Sequence, residues 1–469
     1  MMKIGFVAAL IIMLSGCQIV GPDYETPSNM LPKQWEKISY GADIPIEWWK
    51  KFDDPQLNIL MENMLSNNLD LQLISSRIAQ SRALLGITEA ETLPNFNLNT
   101  SYKNQRASEN GLMDPSGKDG KNNYNIINAG IGLSWEIDMW GKLRRASESQ
   151  RANFAASEYN RRGIQVSIMA ELATYYFQLR SVQQQIIVLN ETESLLNNKH
   201  RILKEQFSYG VGQKTEIEKN RIKIDEIGVL RTEKEGKVKR VHNAIALLIG
   251  ENPSTLKLPL PEGYQLPQFK DEMSLGIPSE LAVRRPDIRE AEELLHKATA
   301  DIGVAKADYY PRITLTGNAG TQSLSLSNLG NWSSSLYDLG PTLYFPLFDG
   351  GKITQQVRFS EEKHKEAALN YQFTILKAWH EVDNALSDYQ VQQEKLHILM
   401  NSIMAEEKNM FLAENKYQLG ASSHIEILNE KNDLLSLKLL LSDFQRDMAL
   451  SAIQLYRSLG GGWENTYPI

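Results

Sequence analysis

An internal repeat is the feature of this sequence that most constrains its fold. The segment EIDMWGKLRR, which starts at Glu136, is matched by PLFDGGKITQ, which starts at Pro346, 210 positions later. The same interval separates QFSYGVGQKTEIEKN at Gln206 from KYQLGASSHIEILNE at Lys416, and an interval of 217 relates the upstream segments ETLPNFNL and DYYPRITL. Self-similarity at a fixed interval indicates repeated structural units. The chain is therefore predicted to be a tandem duplication of one helix, strand, strand, helix, helix unit.

Each repeat contains long stretches with helical periodicity. Apolar residues recur every three or four positions from Ile164 to Leu189 and again from Ala367 to Tyr389, which is typical of amphipathic helices. No proline interrupts residues 142–204 or 352–415, so each range can form one helix of more than 60 residues. At about 1.5 Å per residue such a helix is roughly 90 Å long. The segments that follow alternate spacings of three and four, which favours coiled-coil packing.

Between the helices the apolar residues alternate with polar ones. This period of two is found in NFNLNTSYK, AGIGLSWEI and two segments of the second repeat, and it predicts four β-strands. Pro341 and Pro346 lack the N–H that a strand ladder uses, so the fourth strand is expected to be irregular or bulged. A half-buried sheet in water and a membrane sheet both fit this pattern.

The N-terminal segment has the features of a secretory signal. Lys3 precedes an apolar run from Gly5 to Leu14, which is about half the roughly 20 residues that a transmembrane helix needs. The following L-S-G-C resembles a bacterial lipobox, in which Cys17 becomes the lipidated first residue. Cys17 is the only cysteine in the chain, and its alternative role is an incidental free thiol. In the lipoproteins that this segment resembles, an Asp after the cysteine tends to hold the chain at the inner membrane. Gln18 occupies this position here, so the resemblance implies delivery to the outer membrane.

If the exported chain spans a membrane with its four strands, several chains must contribute strands to one barrel. No segment after the signal approaches 18 consecutive apolar residues, so a membrane-spanning part must consist of β-strands. Four strands do not close a barrel, and an open edge in lipid leaves backbone groups unpaired. Barrels of about eight strands are filled by side chains. Three chains with twelve strands are therefore the smallest assembly expected to enclose a pore.

Several segments in order resemble the TolC and OprM type of outer-membrane factor, particularly its NodT-like lipoprotein branch. They are GPDYETP, EWWKKFDDPQLNILMENMLSNNLDL, RRPDIREAE, ADYYPRITLTG and FPLFDGGK, and together they cover nearly the whole mature chain. The resemblance implies a homotrimer with a twelve-stranded barrel, continuous with a long α-helical coiled-coil tunnel in the periplasm. It also implies three partners: outer-membrane lipid, a periplasmic adaptor protein and an inner-membrane transporter, commonly of the resistance-nodulation-division type.

Two groups of site residues follow from this resemblance. The helix-tip turns are expected to contact the adaptor, and their residues are Gly210, Val211, Gly212, Gly420, Ala421 and Ser422. These glycines have an equally compatible role in ending helices. SSHIEILNE resembles a segment of the TolC family in which two acidic residues ring the closed periplasmic entrance. Glu426 and Asn429 occupy the positions of those two residues in this chain. Asn429 departs from the acidic pattern, and Glu426 is alternatively an ordinary exposed helix charge.

The sequence offers no catalytic, metal or cofactor site. GVGQKT lacks the glycine that a phosphate-binding loop requires before its lysine, because Gln213 occupies that position. HEVDN places Asn384 where a zinc-protease motif needs a second histidine. The net charge of −7, without a basic tract, argues against nucleic acid as a partner. The chain is not expected to be an enzyme.

The predicted function is therefore a passive exit duct of a tripartite efflux pump. The alternatives are the outer component of a type I protein secretion system and a non-conducting periplasmic coiled-coil lipoprotein. The expected segments are the signal peptide 1–16, a lipidated extended segment 17–54, a helix 55–91, a β-hairpin 92–138, tunnel helices 139–250, an equatorial linker 251–278, a helix 279–308, a β-hairpin 309–348, tunnel helices 349–460 and a tail 461–469.

Overall fold

The computed structural model describes residues 19–27, 46–106, 108, 123–264, 266 and 284–463, so that Cys17 lies outside the described residues. The chain divides into two compact units. Unit 1 comprises the described parts of Met1–Pro27, Ile78–Ser157 and Glu290–Tyr371. Unit 2 comprises those of Ser28–Arg77, Glu158–Arg289 and Gln372–Ile469. Each unit therefore draws on both sequence repeats.

The described residues form seven α-helices and four β-strands. The helices are α1 (Pro55–Asn67), α2 (Leu69–Ala90), α3 (Lys142–Ser208), α4 (Lys214–Leu248), α5 (Pro286–Ala307), α6 (Lys352–Gln418) and α7 (His424–Ser458). The strands are β1 (Asn95–Arg106), β2 (Asn123–Ile137), β3 (Arg312–Ser323) and β4 (Ser335–Tyr344). Within these residues no helix combines the length and the apolar character required to cross a membrane.

The two halves of the chain contain helices of equal length. Helices α3 and α6 each have 67 residues, and α4 and α7 each have 35. The starts of α3 and α6, at Lys142 and Lys352, are separated by the same 210 positions as the sequence repeats. The prediction of a mostly helical chain with four antiparallel strands is confirmed.

An aspartate fixes the start of each 67-residue helix. Asp138 accepts hydrogen bonds from the N–H groups of Leu143 and Arg144 at 3.2 and 3.0 Å. Asp349 does the same for Gly351 and Ile353 at 2.9 and 2.7 Å. The first N–H groups of a helix have no partner within the helix, so these carboxylates satisfy donors that are otherwise unpaired.

The segment expected as one helix over 55–91 consists of two helices, because the chain is extended at Asn68. Asn68 has φ −61° and ψ 124°, and its Nδ2 donates to the carbonyl of Leu248 at 2.7 Å. Its Oδ1 accepts from the N–H of Leu71 at 3.0 Å and so caps α2. Gly250 has φ +69°, and a Cβ at this position would lie 2.7 Å from the carbonyl oxygen of Asn67. Only glycine fits this approach of two chain segments.

Unit 1 contains one antiparallel sheet in the order β1-β2-β3-β4. The fourth strand is regular, so the expectation of an irregular or bulged β4 is wrong. Its register with β3 is unbroken from Arg312 opposite Tyr344 to Thr321 opposite Ser335, with Pro341 opposite Leu315. Pro341 removes one N–H donor from β4 but does not interrupt its register with β3. The strand ends at Tyr344, before Pro346.

Unit 2 is held together by an aromatic core. The 3₁₀ helix Trp48–Phe52 buries both of its tryptophans and its phenylalanine. Trp48 stacks on Tyr456 with ring centroids 5.5 Å apart, and Phe52 contacts Phe177 at 4.6 Å. The 3₁₀ helix therefore packs against α3 and α7. Pairs of this kind stabilise a fold beyond the area they bury.

Candidate functional site

The turn after α3 is closed by its own backbone. The N–H of Gly210 donates to the carbonyl of Phe207 at 3.0 Å, and the N–H of Val211 donates to that of Gln206 at 3.0 Å. This pair of bonds is a Schellman motif, which needs a left-handed residue after the helix end. Gly210 has φ +78° and supplies it.

The turn after α6 has the same geometry. The N–H of Gly420 donates to the carbonyl of Tyr417 at 2.9 Å, and the N–H of Ala421 donates to that of Lys416 at 2.8 Å. Gly420 has φ +72°. The helix-ending role of both glycines, which the sequence offered as the alternative, is therefore present in the structure.

The two turns expose apolar side chains around these glycines. Tyr209, Val211 and Leu419 are each more than 80% exposed. A Cβ on Gly210 or Gly420 would meet no atom within 4 Å. Because three large side chains and two open backbone positions lie at the turns, another protein can approach the backbone closely there.

The second glycine of the first turn, Gly212, has a different requirement. A Cβ on Gly212 would lie 2.9 Å from the backbone nitrogen of Phe207, so a side chain would push against the last turn of α3. The corresponding residue of the second turn is Ser422, which is half-buried. Gly212 therefore serves the packing of the turn itself.

Glu426 and Asn429 both lie on the first turns of α7. Glu426 is in the first turn, where a negative side chain is favoured by the helix dipole, and it is half-buried. Asn429 is exposed, and its Oδ1 accepts a hydrogen bond of 2.5 Å from Nζ of Lys199 on α3. Burial and the nearby Lys223 lower the pKa of Lys199. Sequence reasoning missed Lys199, because only the folded chain brings it to α7.

Further carboxylates surround Glu426. Burial, a hydrogen bond with Glu406 on α6, and the charges of Glu406, Asp433 and Glu426 together raise the pKa of Glu430. Residues 426, 430 and 433 follow the spacing of one helix face, a signal that the sequence contained. Glu406 comes from another helix and could not be found in this way. Like charges this close make proton binding by one group depend on the others.

The sheet of unit 1 has one apolar and one polar face. Paired residues share a face, so the register assigns each side chain. The apolar face carries Phe96, Leu98, Ile131, Leu133, Leu315, Tyr337, Leu339 and Leu343. The polar face carries Asn97, Asn99, Ser101, Asn128, Gly132, Thr316, Asn318, Gln322 and Asp338. Sequence reasoning predicted the alternation but did not single out Asp338.

The N-terminal segment 19–27 is attached to unit 1. The N–H of Val20 donates to the carbonyl of Trp140 at 3.0 Å, and Nη2 of Arg145 contacts Asp23 at 2.6 Å. The ring of Tyr24 stacks on His296 at 4.3 Å. These contacts fix the segment that follows the predicted lipidation site. The motif GPDY, residues 21–24, lies in this segment and was one of the sequence signals of the family resemblance.

No group of three or more histidine, cysteine or acidic side chains suited to a metal ion is present among the described residues. The described surfaces offer instead exposed turns, a carboxylate group and a two-faced sheet.

Comparison with known proteins identifies the family to which this chain is similar. Residues 60–251 and 277–461 match the family model described as outer membrane efflux protein. The cation efflux system protein CusC of Escherichia coli O6:H1 is 27% identical over 460 residues, which are 97% of each chain. The toluene efflux pump outer membrane protein TtgC of Pseudomonas putida is 28% identical over 466 residues, 97% of this chain and 95% of that protein.

A solved structure is also similar. That of the outer-membrane channel OprN superimposes with a TM-score of 0.86 at 29% identity, covering 95% of this chain and 99% of that one. The family match spans most of the chain, and the relatives are efflux proteins and channels of the outer membrane. The chain belongs to the outer membrane efflux protein family and is an outer-membrane efflux channel, not an enzyme.

Proposed function

We propose that three copies of this chain form one exit duct, with a shared barrel of twelve strands in the outer membrane and the long helices in the periplasm. The observation that carries the proposal is the sheet order β1-β2-β3-β4, which pairs neither β1 nor β4 on its outer side within the described chain. Unpaired strand edges are not tolerated in lipid. Pairing β4 of one copy with β1 of the next satisfies both edges.

The apolar face of the sheet supports a membrane location for the strands. Leu98, Tyr337 and Leu339 on this face are at least 70% exposed in the single chain. Exposed apolar side chains in this number are unfavourable in water and favourable in contact with lipid. The opposite, polar face then lines the pore.

The attachment of the protein at the membrane is proposed to include a lipid on Cys17. The relative SilC of Salmonella typhimurium, 26% identical over 97% of each chain, is named a probable outer membrane lipoprotein. A lipid chain adds binding energy in proportion to its buried methylene groups. The contacts of Val20, Asp23 and Tyr24 hold the adjoining segment on unit 1.

The helix-tip turns are proposed to receive a periplasmic adaptor, which connects the duct to an inner-membrane transporter of the resistance-nodulation-division type. The exposed side chains of Tyr209, Val211 and Leu419 and the open backbone of Gly210 and Gly420 support this contact. The relatives are named for cations and for toluene, so the duct is proposed to conduct small molecules that the inner transporter selects.

Glu426 and Asn429 are proposed to line the periplasmic entrance, where three copies of Glu426 would repel one another when ionised and attract cations. The nearby Glu430, whose pKa is raised, supports an entrance that responds to pH. The Glu426→Gln variant tests this role through the ion selectivity of the channel, and an unchanged cation preference would contradict it.

The duct itself is tested with the purified full-length chain in detergent. Native mass spectrometry is expected to give a trimer that dissociates on heating, and planar bilayers are expected to show single-channel conductance. A monomer without conductance would overturn the proposal and favour a periplasmic scaffold. In the Cys17→Ala variant, lipid attachment is lost and the trimer remains, because closure depends on strand pairing.

A further inference from the structure

A single carboxylate marks the middle of the polar sheet face. The register places Asn97, Gly132, Asn318 and Asp338 in one row across the four strands. Nδ2 of Asn318 donates to both oxygens of Asp338, at 3.2 and 3.1 Å. An amide is neutral, so this partner orients the carboxylate without compensating its charge.

The other charged residues of this face lie in other rows. Arg312 and Glu136 form an ion pair of 3.6 Å at one end of the strands. Arg312 is opposite Tyr344, six residues from Asp338 along β4, which corresponds to about 20 Å of strand. Lys103 is likewise six residues along β1 from Asn97, the β1 member of the Asp338 row. Both distances exceed the Debye length of about 8 Å at physiological salt, so neither cation screens Asp338 effectively.

The surface beside this carboxylate has space for a hydrated ion. Glycines at 130, 132 and 320 leave an open groove of about 240 Å³, which adjoins Asp338 through Asn318, its hydrogen-bond partner and one of the lining residues. Water occupies about 30 Å³ per molecule in the liquid, so the groove holds an ion together with several waters. A cation can therefore pass Asp338 with its hydration shell, attracted by the charge but not held by direct ligands.

We propose that Asp338 gives the strand-lined part of the channel a preference for cationic solutes. This inference rests on the proposed function, because it requires the polar face to line a conducting pore. In a trimer three such carboxylates lie in one passage, and the neighbours of each on the polar face of its own chain are uncharged. A fixed charge of one sign raises the local concentration of ions of the opposite sign in a confined space.

The test is the reversal potential of the full-length protein in phosphatidylcholine bilayers under a potassium chloride gradient. Asp338→Asn is expected to lower the ratio of cation to anion permeability several-fold, whereas Asp338→Glu keeps it. Gln322→Glu adds a carboxylate to the same face and is expected to raise the ratio. Glu62→Gln removes the same charge from the exposed surface of α1 and serves as the matched control.

The outcomes separate this inference from the function on which it rests. A wild-type protein that does not conduct contradicts the duct. A conducting Asp338→Asn channel with the wild-type permeability ratio overturns the role of Asp338 and leaves the duct intact. If Asp338→Asn fails to fold, the Gln322→Glu variant decides, because an unchanged ratio there shows that charge on this face does not govern selectivity.

Discussion

Replacing Asp54 by alanine is expected to loosen the first helix of unit 2 strongly. Asp54 is buried and precedes α1, where its Oδ1 accepts from the N–H groups of Gln56 and Leu57 at 3.0 and 3.2 Å. Its Oδ2 accepts from the hydroxyls of Tyr176 and Tyr264 at 2.7 and 3.0 Å. Burial and Asp54 raise the pKa of both phenols, so both remain donors.

The magnitude follows from these four hydrogen bonds. Loss of a helix cap costs about 1 kcal/mol, and each buried hydroxyl left without an acceptor costs about 1 to 3 kcal/mol. Asp54→Ala is therefore expected to lower the free energy of opening α1 by about 3 to 7 kcal/mol. A loss of about 3 kcal/mol corresponds to a protection factor roughly 100-fold lower.

Hydrogen–deuterium exchange of the amides in Pro55–Asn67 measures this effect in the detergent-solubilised protein, where local opening is read without complete unfolding. The triple variant Asp54→Ala, Tyr176→Phe, Tyr264→Phe leaves no hydroxyl unpaired and is expected to recover part of the protection. Protection in the triple variant at or below that of Asp54→Ala alone would show that the orphaned hydroxyls are not the cause.

Three further predictions concern the helix tips and the sheet. Glu430→Gln is expected to raise the melting temperature at pH 7.5 but not at pH 4, because a carboxyl with a raised pKa disfavours the folded state only once the pH exceeds its ordinary value of about 4.3; an equal difference at both pH values would contradict this. Gly210→Ala is expected to reduce exchange protection in the last turn of α3, since a left-handed alanine costs about 1 kcal/mol, whereas Gly210→Asn is milder; equal losses would show that backbone conformation is not the cause. Gly320→Ala places a Cβ 2.4 Å from the carbonyl oxygen of Ala129 and is expected to reduce the yield of folded channel, while Gly340→Ala, with no atom within 4 Å, keeps it; a normal yield of Gly320→Ala would refute the steric argument.

The helices and strands could be predicted from the sequence because their signals are local. The apolar periodicity, the absence of proline and the glycine-containing turns identified α3 and α6 and their ends. The alternation around Leu98 and Ile131 identified two strands, since side-chain direction in a strand depends only on position parity. The aspartate caps at Asp138 and Asp349 are also local features, but the sequence analysis did not single them out.

The features that escaped prediction depend on partners distant in sequence. Asn68 interrupts a helix because it meets the carbonyl of Leu248, 180 residues away. Lys199 reaches Asn429 across 230 residues. Asp338 gains its position from strand register, which no local pattern supplies. In each case the residue type gives no local signal of its role, and a contact with residues distant in the sequence determines that role.

The polar sheet face is also built to satisfy its own side chains. Asn99 donates to Asn97 at 2.7 Å, Asn128 donates to Ser101 at 3.1 Å, and Gln322 donates to Asn128 at 2.8 Å. Amides that are bonded to one another offer fewer free groups to a passing solute, so they line a wet surface without binding strongly. Conduction requires that a solute leave each site as readily as it enters. In the proposed pore, a neutral and internally bonded lining with few charges would meet this requirement, because the charges would select solutes by sign while the amides would bind them only weakly.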